Sequence, residues 1–287
     1  MGGSLRALVN WGLTGSIFGL KLAQALDITR EDLLLARREP WRLLGSLLVV
    51  LVLVPVAILL IVVLVRPPHP TAIALAVVAA APAAPLALSG AVGVGGRMGY
   101  VASLQLGVAL LAAITTPITL DLLAHALDFE ATMSPVVVAK QVAGAMLLPT
   151  ALGVLLSMWA PRLAERLHAP LRNLAGVIFL AVVLLVISQT YRLLVELDLR
   201  SYLAIFLAIA AALATGHVLG HPLRLSSAGD RAALALECAI RNPGLAMLIA
   251  SVNFPGAKAL HIVVPYLLVS SLTTTLYSRW QAPHKTH

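Results

Sequence analysis

Three side chains able to do chemistry stand within six residues of one another in the segment DRAALALECAIRNPGLAMLIASVN (230–253): Glu237, Arg241 and Asn242. The surrounding residues are apolar and the segment is long enough to cross a bilayer. A charge at bilayer depth costs about 2.5–3.5 kcal/mol on insertion scales, so a buried carboxylate and guanidinium there need a function or a partner. Glu237 can hold a cation or a proton. Arg241 can hold an anion or stand in place of a cation. The two are four residues apart, the spacing of neighbours on one helix face, so a mutual ion pair is the plainer reading. Pro243 and Gly244 follow at once and break the helix. Irregular backbone at that depth is tolerated only inside protein or along a wet cavity, which makes this break a candidate transport site.

A second interrupted stretch carries the next candidates. APAAP (81–85) is followed by GAVGVGGRMG (90–99), and the break is expected near 93–99, at Gly95 and Gly96. Arg97 then starts a half-helix, whose positive N-terminal end favours an anion. The plainer alternative is an arginine snorkelling to an interface. Tyr100, Ser103 and Gln105 can line the same cavity. Thr115, Thr116 and Pro117 kink the next stretch, and hydroxyls in such helices usually bond back to their own carbonyls. His217 and His221 are spaced like a metal pair but have no third ligand nearby. No nucleophile stands beside a base, and no phosphate loop is present. The chain therefore reads as a non-enzyme without a resident cofactor or metal.

The elements that must position these residues follow from composition. Of 287 residues 60% are hydrophobic and 11% charged, with a mean hydropathy of +0.96. Soluble domains carry about 25% charged residues, so the expected class is an all-α polytopic membrane protein. Nine stretches can span, at about 6–27, 41–66, 70–104, 105–127, 132–160, 169–193, 199–221, 228–253 and 257–280. Asn10 and Lys21 interrupt the first. The net charge of +8 sits mostly in short loops, which argues for membrane orientation rather than nucleic-acid binding. Eleven basic residues fall in the loops 27–42, 160–172 and 217–231 and in the C-terminal tail, against five on the other side, or six with Lys140. That bias places the N-terminus outside and the C-terminus in the cytoplasm. The outer loops hold Asp128, Glu130, Glu196 and Asp198. MGGSLRALVNWG has no basic region leading to a small-residue cleavage site, so no cleavable signal peptide is expected. The wealth of Ala, Leu, Val and Arg suggests a bacterial inner membrane.

The two interrupted stretches are the third and the eighth. If residues 1–130 and 131–287 are inverted repeats of four and five spans within one membrane domain, the breaks near 90–99 and 237–244 fall at equivalent places. Such a pair is the best sequence pointer to a transporter's midplane site.

In the order of its parts the chain resembles the bile acid:sodium symporter superfamily. The resemblance rests on GLKLAQALDITREDLLLARREPWRLLGSLL (19–48), VLVLVPVAILL (50–60), GAVGVGGRMGY (90–100), VALLAAITTP (108–117) and ECAIRNPGLAMLIAS (237–251). The last is similar to the family's Glu-x-x-x-Gln-Asn motif. The resemblance implies a panel of spans 1, 2, 5 and 6, a core of spans 3, 4, 7, 8 and 9, and two discontinuous helices crossing in the core. It also implies that the first of ten helices is missing. Glu237 and Thr115 keep positions of one sodium site, whereas Arg241 stands where the second site has a glutamine. Arginine offers five donors and no acceptor, so it replaces sodium rather than binding it.

The expected function is secondary transport of a small organic anion by alternating access. Arg97, Arg241, Asn242, Tyr100 and Ser103 would face the substrate, and Glu237 with Thr115 would hold a coupling ion. That ion is a proton or absent, with sodium symport through Glu237 and Thr115 as the alternative. A ligand sensor that does not translocate is the reading from another class. The partners are the substrate anion and the lipid bilayer; nothing fixes the oligomeric state.

Overall fold

The computed structural model describes residues 3–129, 134–225, 227–254 and 259–281, and every regular element among them is helical. Glu130, Lys258 and Lys285 of the charge pattern lie outside the described residues. In chain order the helices are α1 (Gly3–Leu26), α2 (Arg30–Arg38), α3 (Pro40–Leu48), α4 (Val54–Val65), α5 (His69–Ala80), α6 (Pro85–Gly93) and α7 (Met98–Ala126). They continue with α8 (Pro135–Val142), α9 (Leu148–Trp159), α10 (Pro161–Glu196), α11 (Leu199–Leu219), α12 (Ala228–Ala239), α13 (Pro243–Asn253) and α14 (Ala259–Gln281). Prolines start five of them: Pro40, Pro85, Pro135, Pro161 and Pro243 each open a helix, where the missing N–H has no intrahelical acceptor to lose. Two π-helical turns, Val49–Leu53 and Ala143–Leu147, join α3 to α4 and α8 to α9 into continuous rods.

Among the described residues, five helical rods are long and apolar enough to cross a membrane: Pro40–Val65, Met98–Ala126, Pro135–Trp159, Pro161–Gln189 and Leu199–Leu219. Their outward faces expose Leu60, Leu64, Ile114, Leu122 and Val177, an apolar surface that suits lipid rather than water. Trp41, Trp159 and Trp280 stand exposed at helix ends, where amphipathic rings settle at a membrane interface. The interior is built from α1 against α9 and α10, α11 against α4 and α12, and α7 against α2, α5 and α8.

The third apolar stretch breaks at its glycines, where Val94–Arg97 is the turn that ends α6 and leads into α7, and it also breaks earlier, at Ala81–Ala84. Two prolines decide this. Pro82 cannot donate to the last turn of α5, and Pro85 restarts the chain as α6. The glycines serve a different purpose. Gly95 takes a φ of +88°, open to a residue without Cβ. Its carbonyl lies so close to Gly229 that a Cβ there would stand 2.1 Å from the oxygen. A Cβ on Gly96 would reach within 2.6 Å of that of Ala233. The glycine run lets the α6–α7 turn lie directly on the first turns of α12. Small residues allow the same approach elsewhere, with Gly216 of α11 seated on the backbone of Ala235.

Gly229→Ala should therefore force the turn and α12 apart. Overpacking of this kind costs about 1–3 kcal/mol. The expected result is a melting point several degrees lower in detergent, whereas Gly15→Ala, with open space around its Cβ, should leave it unchanged.

Candidate functional site

The two interrupted stretches cross at their breaks and bond to each other there. Ala84 N–H donates to the Ile240 carbonyl at 3.0 Å, and Asn242 N–H donates to the Pro82 carbonyl at 3.1 Å. Ala83 and Arg241 thus face each other as an antiparallel bridge. Four half-helix ends converge on this point: the C-termini of α5 and α12 and the N-termini of α6 and α13. Helix termini leave unsatisfied backbone groups, so the crossing needs partners for them.

Arg241 supplies those partners at one end. It is 2% exposed, and its guanidinium donates to three main-chain carbonyls: Val78 at 3.4 Å, Ala79 at 2.5 Å and Val50 at 3.0 Å. The first two close the last turn of α5, a helix C-terminus where positive charge is favoured. The third is left open by the π-helical turn. Val54 N–H donates back to Val49, and Pro55, next in line, has no N–H to give Val50. The other C-terminus, that of α12, is closed by the Tyr266 hydroxyl donating to the Ala239 carbonyl at 3.1 Å.

Glu237 does not pair with Arg241, because the chain leaves the helix between them. It is fully buried and accepts from the Gln105 amide at 2.6 Å through Oε2, while Oε1 has no partner among the described residues. The same Gln105 nitrogen donates to the Ala84 carbonyl at the crossing, at 3.0 Å. Its carbonyl accepts at 2.9 Å from the ammonium of Lys21, which is 1% exposed. Lys21 also donates to Gln24 at 3.1 Å. A buried chain, Lys21–Gln105–Glu237, therefore links α1, α7 and α12. Both hydrogens and the oxygen of the Gln105 amide are engaged, so the network itself fixes the amide's orientation. Lys21 was visible in the sequence only as an interruption of the first apolar stretch. Its meaning needed the 84-residue jump to Gln105.

The remaining sequence candidates are dispersed. Asn242 caps α13, with Oδ1 accepting from Leu245 N–H at 3.0 Å, and its Nδ2 is buried without a partner among the described residues. Gly244 is buried against Ile17 and Phe179. The Tyr100 hydroxyl meets that of Ser46 at 2.7 Å, and the Ser103 hydroxyl donates to the Asp32 carbonyl at 2.7 Å, so both tie α7 to neighbouring helices. Thr115 bonds back to Leu111 within α7. It lies ten residues beyond Gln105, about 15 Å along the helix, and is not brought to Glu237.

Arg97 lies at the end of a helix rather than at the crossing. Its main-chain N–H and Nε donate to the buried carboxylate of Asp230 at 2.9 and 2.8 Å. Its outer nitrogens take both oxygens of Glu39 at 3.4 and 3.1 Å, and Arg42 holds Glu39 from the other side at 2.9 Å. Asp230 sits in the first turn of α12, capped by Ser227. The cluster joins the starts of α3, α7 and α12.

Residues 17–197 match the model of the sodium bile acid symporter family, which is most of the chain. The chain belongs to that family. It is accordingly a multi-pass membrane protein of a transporter family, not of an enzyme family. The matched region takes in the first break, Lys21 and Gln105; the second break lies beyond it. No curated protein matches the chain.

Glu39, outside the spanning segments, titrates below the usual carboxylate range, chiefly because Arg97 bonds its charged form; burial opposes this and Arg42 adds to it. A lowered carboxylate contributes stability that is present above its unfolded value and lost as pH falls through the folded one. The melting-point gap between wild type and Glu39→Gln should thus be constant above about pH 5 and close below about pH 4. A gap that stays open in acid would remove Glu39 from this ion cluster.

Proposed function

We propose that this chain is a secondary transporter that moves a small organic anion by alternating access without a co-transported sodium ion. The observation that carries the reading is the guanidinium of Arg241 held by the carbonyls of Val50, Val78 and Ala79 at the helix crossing. Sodium seeks a cluster of such oxygens. Here a covalently attached cation holds them, and a second cation beside it would be repelled at short range in a medium of low dielectric. Lys21 adds a second fixed positive charge, compensated across Gln105 by Glu237. The alternative sodium site, Glu237 with Thr115, is disfavoured because Thr115 lies about 15 Å along α7 from Gln105, the residue that bonds Glu237.

In this reading the chain crosses the bilayer nine times, with the half-helix pairs α5–α6 and α12–α13 each counting as one crossing. Spans 1–4 and 5–9 form the two inverted repeats. The panel comprises α1, α3–α4, α8–α9 and α10, and the core comprises the rest of the long helices. The ion cluster of Arg97, Glu39 and Asp230 falls beside the basic loops 27–42 and 217–231, the proposed cytoplasmic side. Because Glu39 belongs to the panel and Arg97 and Asp230 to the core, their contact closes that side in the present conformation.

Uptake of labelled organic acids into proteoliposomes tests the proposal. The rate should be equal in sodium and in choline, and Arg241→Gln should lower it at least tenfold. Tenfold or greater stimulation of the wild type by sodium would overturn it.

A further inference from the structure

We propose that the place where the end of α11, the start of α12 and the end of α14 meet binds the headgroup phosphate of an anionic phospholipid, with Arg231, His217 and His221 as the groups that receive it. The site stands apart from the helix crossing and does not depend on the transport reading. His217 lies in the last turn of α11, His221 in the turn that follows, Arg231 near the start of α12, and Tyr277 and Trp280 near the end of α14.

The side chains gather around His217. The Tyr277 hydroxyl lies 2.7 Å from its Nδ1 and holds the ring in place. His221 and Trp280 flank it, each with its ring centroid 6.2 Å away. The stem of Arg231 lies against Gly220, where a Cβ would come within 2.9 Å of the arginine Cγ. His221 and Arg231 are both near enough for their charges to act on the His217 ring. Three basic groups thus share one place, and no acid pairs with any of them among the described residues. Asp230, next to Arg231 in the chain, is turned to Arg97. The Nε of Arg231 is buried and has no acceptor among the described residues. An unmade buried hydrogen bond is costly, and phosphate oxygens suit the donor fork of a guanidinium. The described residues offer the two histidines no third histidine, cysteine or carboxylate with which to hold a metal.

The surface leading to the site separates a lipid from a free phosphate. Leu272, Leu276 and Trp280 are spaced four apart on α14 and are all exposed, so they form one apolar stripe that runs up to the basic groups. Val218 adds an exposed apolar side chain on α11. Acyl chains can lie along this stripe while the indole of Trp280 settles at headgroup depth. Basic pockets between helix ends on the cytoplasmic side hold anionic headgroups, and the loop 217–231 belongs to the side with the basic excess. A zwitterionic lipid would bring a cation of its own to a place that already holds three basic groups, so the anionic class fits best.

Thermal shift and native mass spectrometry of the purified full chain in detergent, with phosphatidylglycerol, phosphatidylcholine and inorganic phosphate, test the site. Phosphatidylglycerol should raise the melting point by several degrees and stay bound in the spectrometer, and the other two should do neither. Arg231→Gln should weaken phosphatidylglycerol binding at least fivefold. Arg192→Gln, beside the start of α11 at the opposite end of that helix, should leave it unchanged. If Arg231→Gln does not fold, His221→Gln, on the exposed turn, decides with the same expected loss. Absence of phosphatidylglycerol binding, equal stabilisation by phosphatidylcholine or by inorganic phosphate, or an unchanged affinity in the folded variant overturns the proposal.

Discussion

The crossing of two broken helices can exist inside a membrane only if its backbone ends are satisfied, and the guanidinium of Arg241 is what satisfies the end of α5. Water cannot do this at bilayer depth, and an unpaired group there costs several kcal/mol. One planar cation with a fork of donors reaches two carbonyls on α5 and a third on the neighbouring rod. Three prolines prepare the geometry. Pro82 ends α5, Pro243 starts α13, and Pro55 with the π-helical turn frees the carbonyl of Val50. Removing one partner of such an arrangement would leave either a bare charge or bare carbonyls, the situation in which buried polar groups are most destabilising.

The second cluster depends on the first through a short path. Gln105 donates to the Ala84 carbonyl, and the Ala84 N–H donates to Ile240, one residue before Arg241. The position of the Gln105 amide is thus set by the crossing. That amide in turn decides how far Glu237 and Lys21 stand apart. Glu237 lies in the last turn of α12, where the helix field disfavours negative charge. The hydrogen bond from Gln105 and the nearby ammonium offset that disadvantage. A carboxylate that would be unstable alone becomes part of a chain from α1 to α12.

Much of this was legible in the residues and some was not. A proline next to an arginine and an asparagine, deep in an apolar stretch, signals the restart at Pro243, because the chemistry is local. The glycine run at 93–96 marks a real interruption, the turn between α6 and α7, but the break that forms the crossing is signalled by the pair of prolines at 82 and 85. Those glycines answer a tertiary demand, the approach of α12 to within contact of the turn, which no local pattern displays. Arg97 does start a helix as expected, but away from the crossing, and its partners Glu39 and Asp230 lie 58 and 133 residues away. The spacing of Glu237 and Arg241 suggested a pair on one helix face, and the break between them put the two side chains on different partners. Lys21 and Gln105 were both visible as polar residues in apolar surroundings. Their link was not, since nothing in either segment specifies which distant helix it will face.

Fixed cations change what a carrier's core must do between its two states. A carrier that binds a mobile cation can release it and return nearly neutral, but the charges of Arg241 and Lys21 are covalently attached and never leave. With Glu237 as their counter-charge, the empty core keeps a surplus of positive charge, which is expensive in low dielectric. In the proposed transporter an anion removes that surplus, so the loaded core is the one that can reorganise at least cost. The same electrostatics then favours exchange of one anion for another over return of the empty carrier. The preference would follow from two side chains and their partners, Arg241 on its carbonyls and Lys21 on its amides, without any ion beyond the substrate.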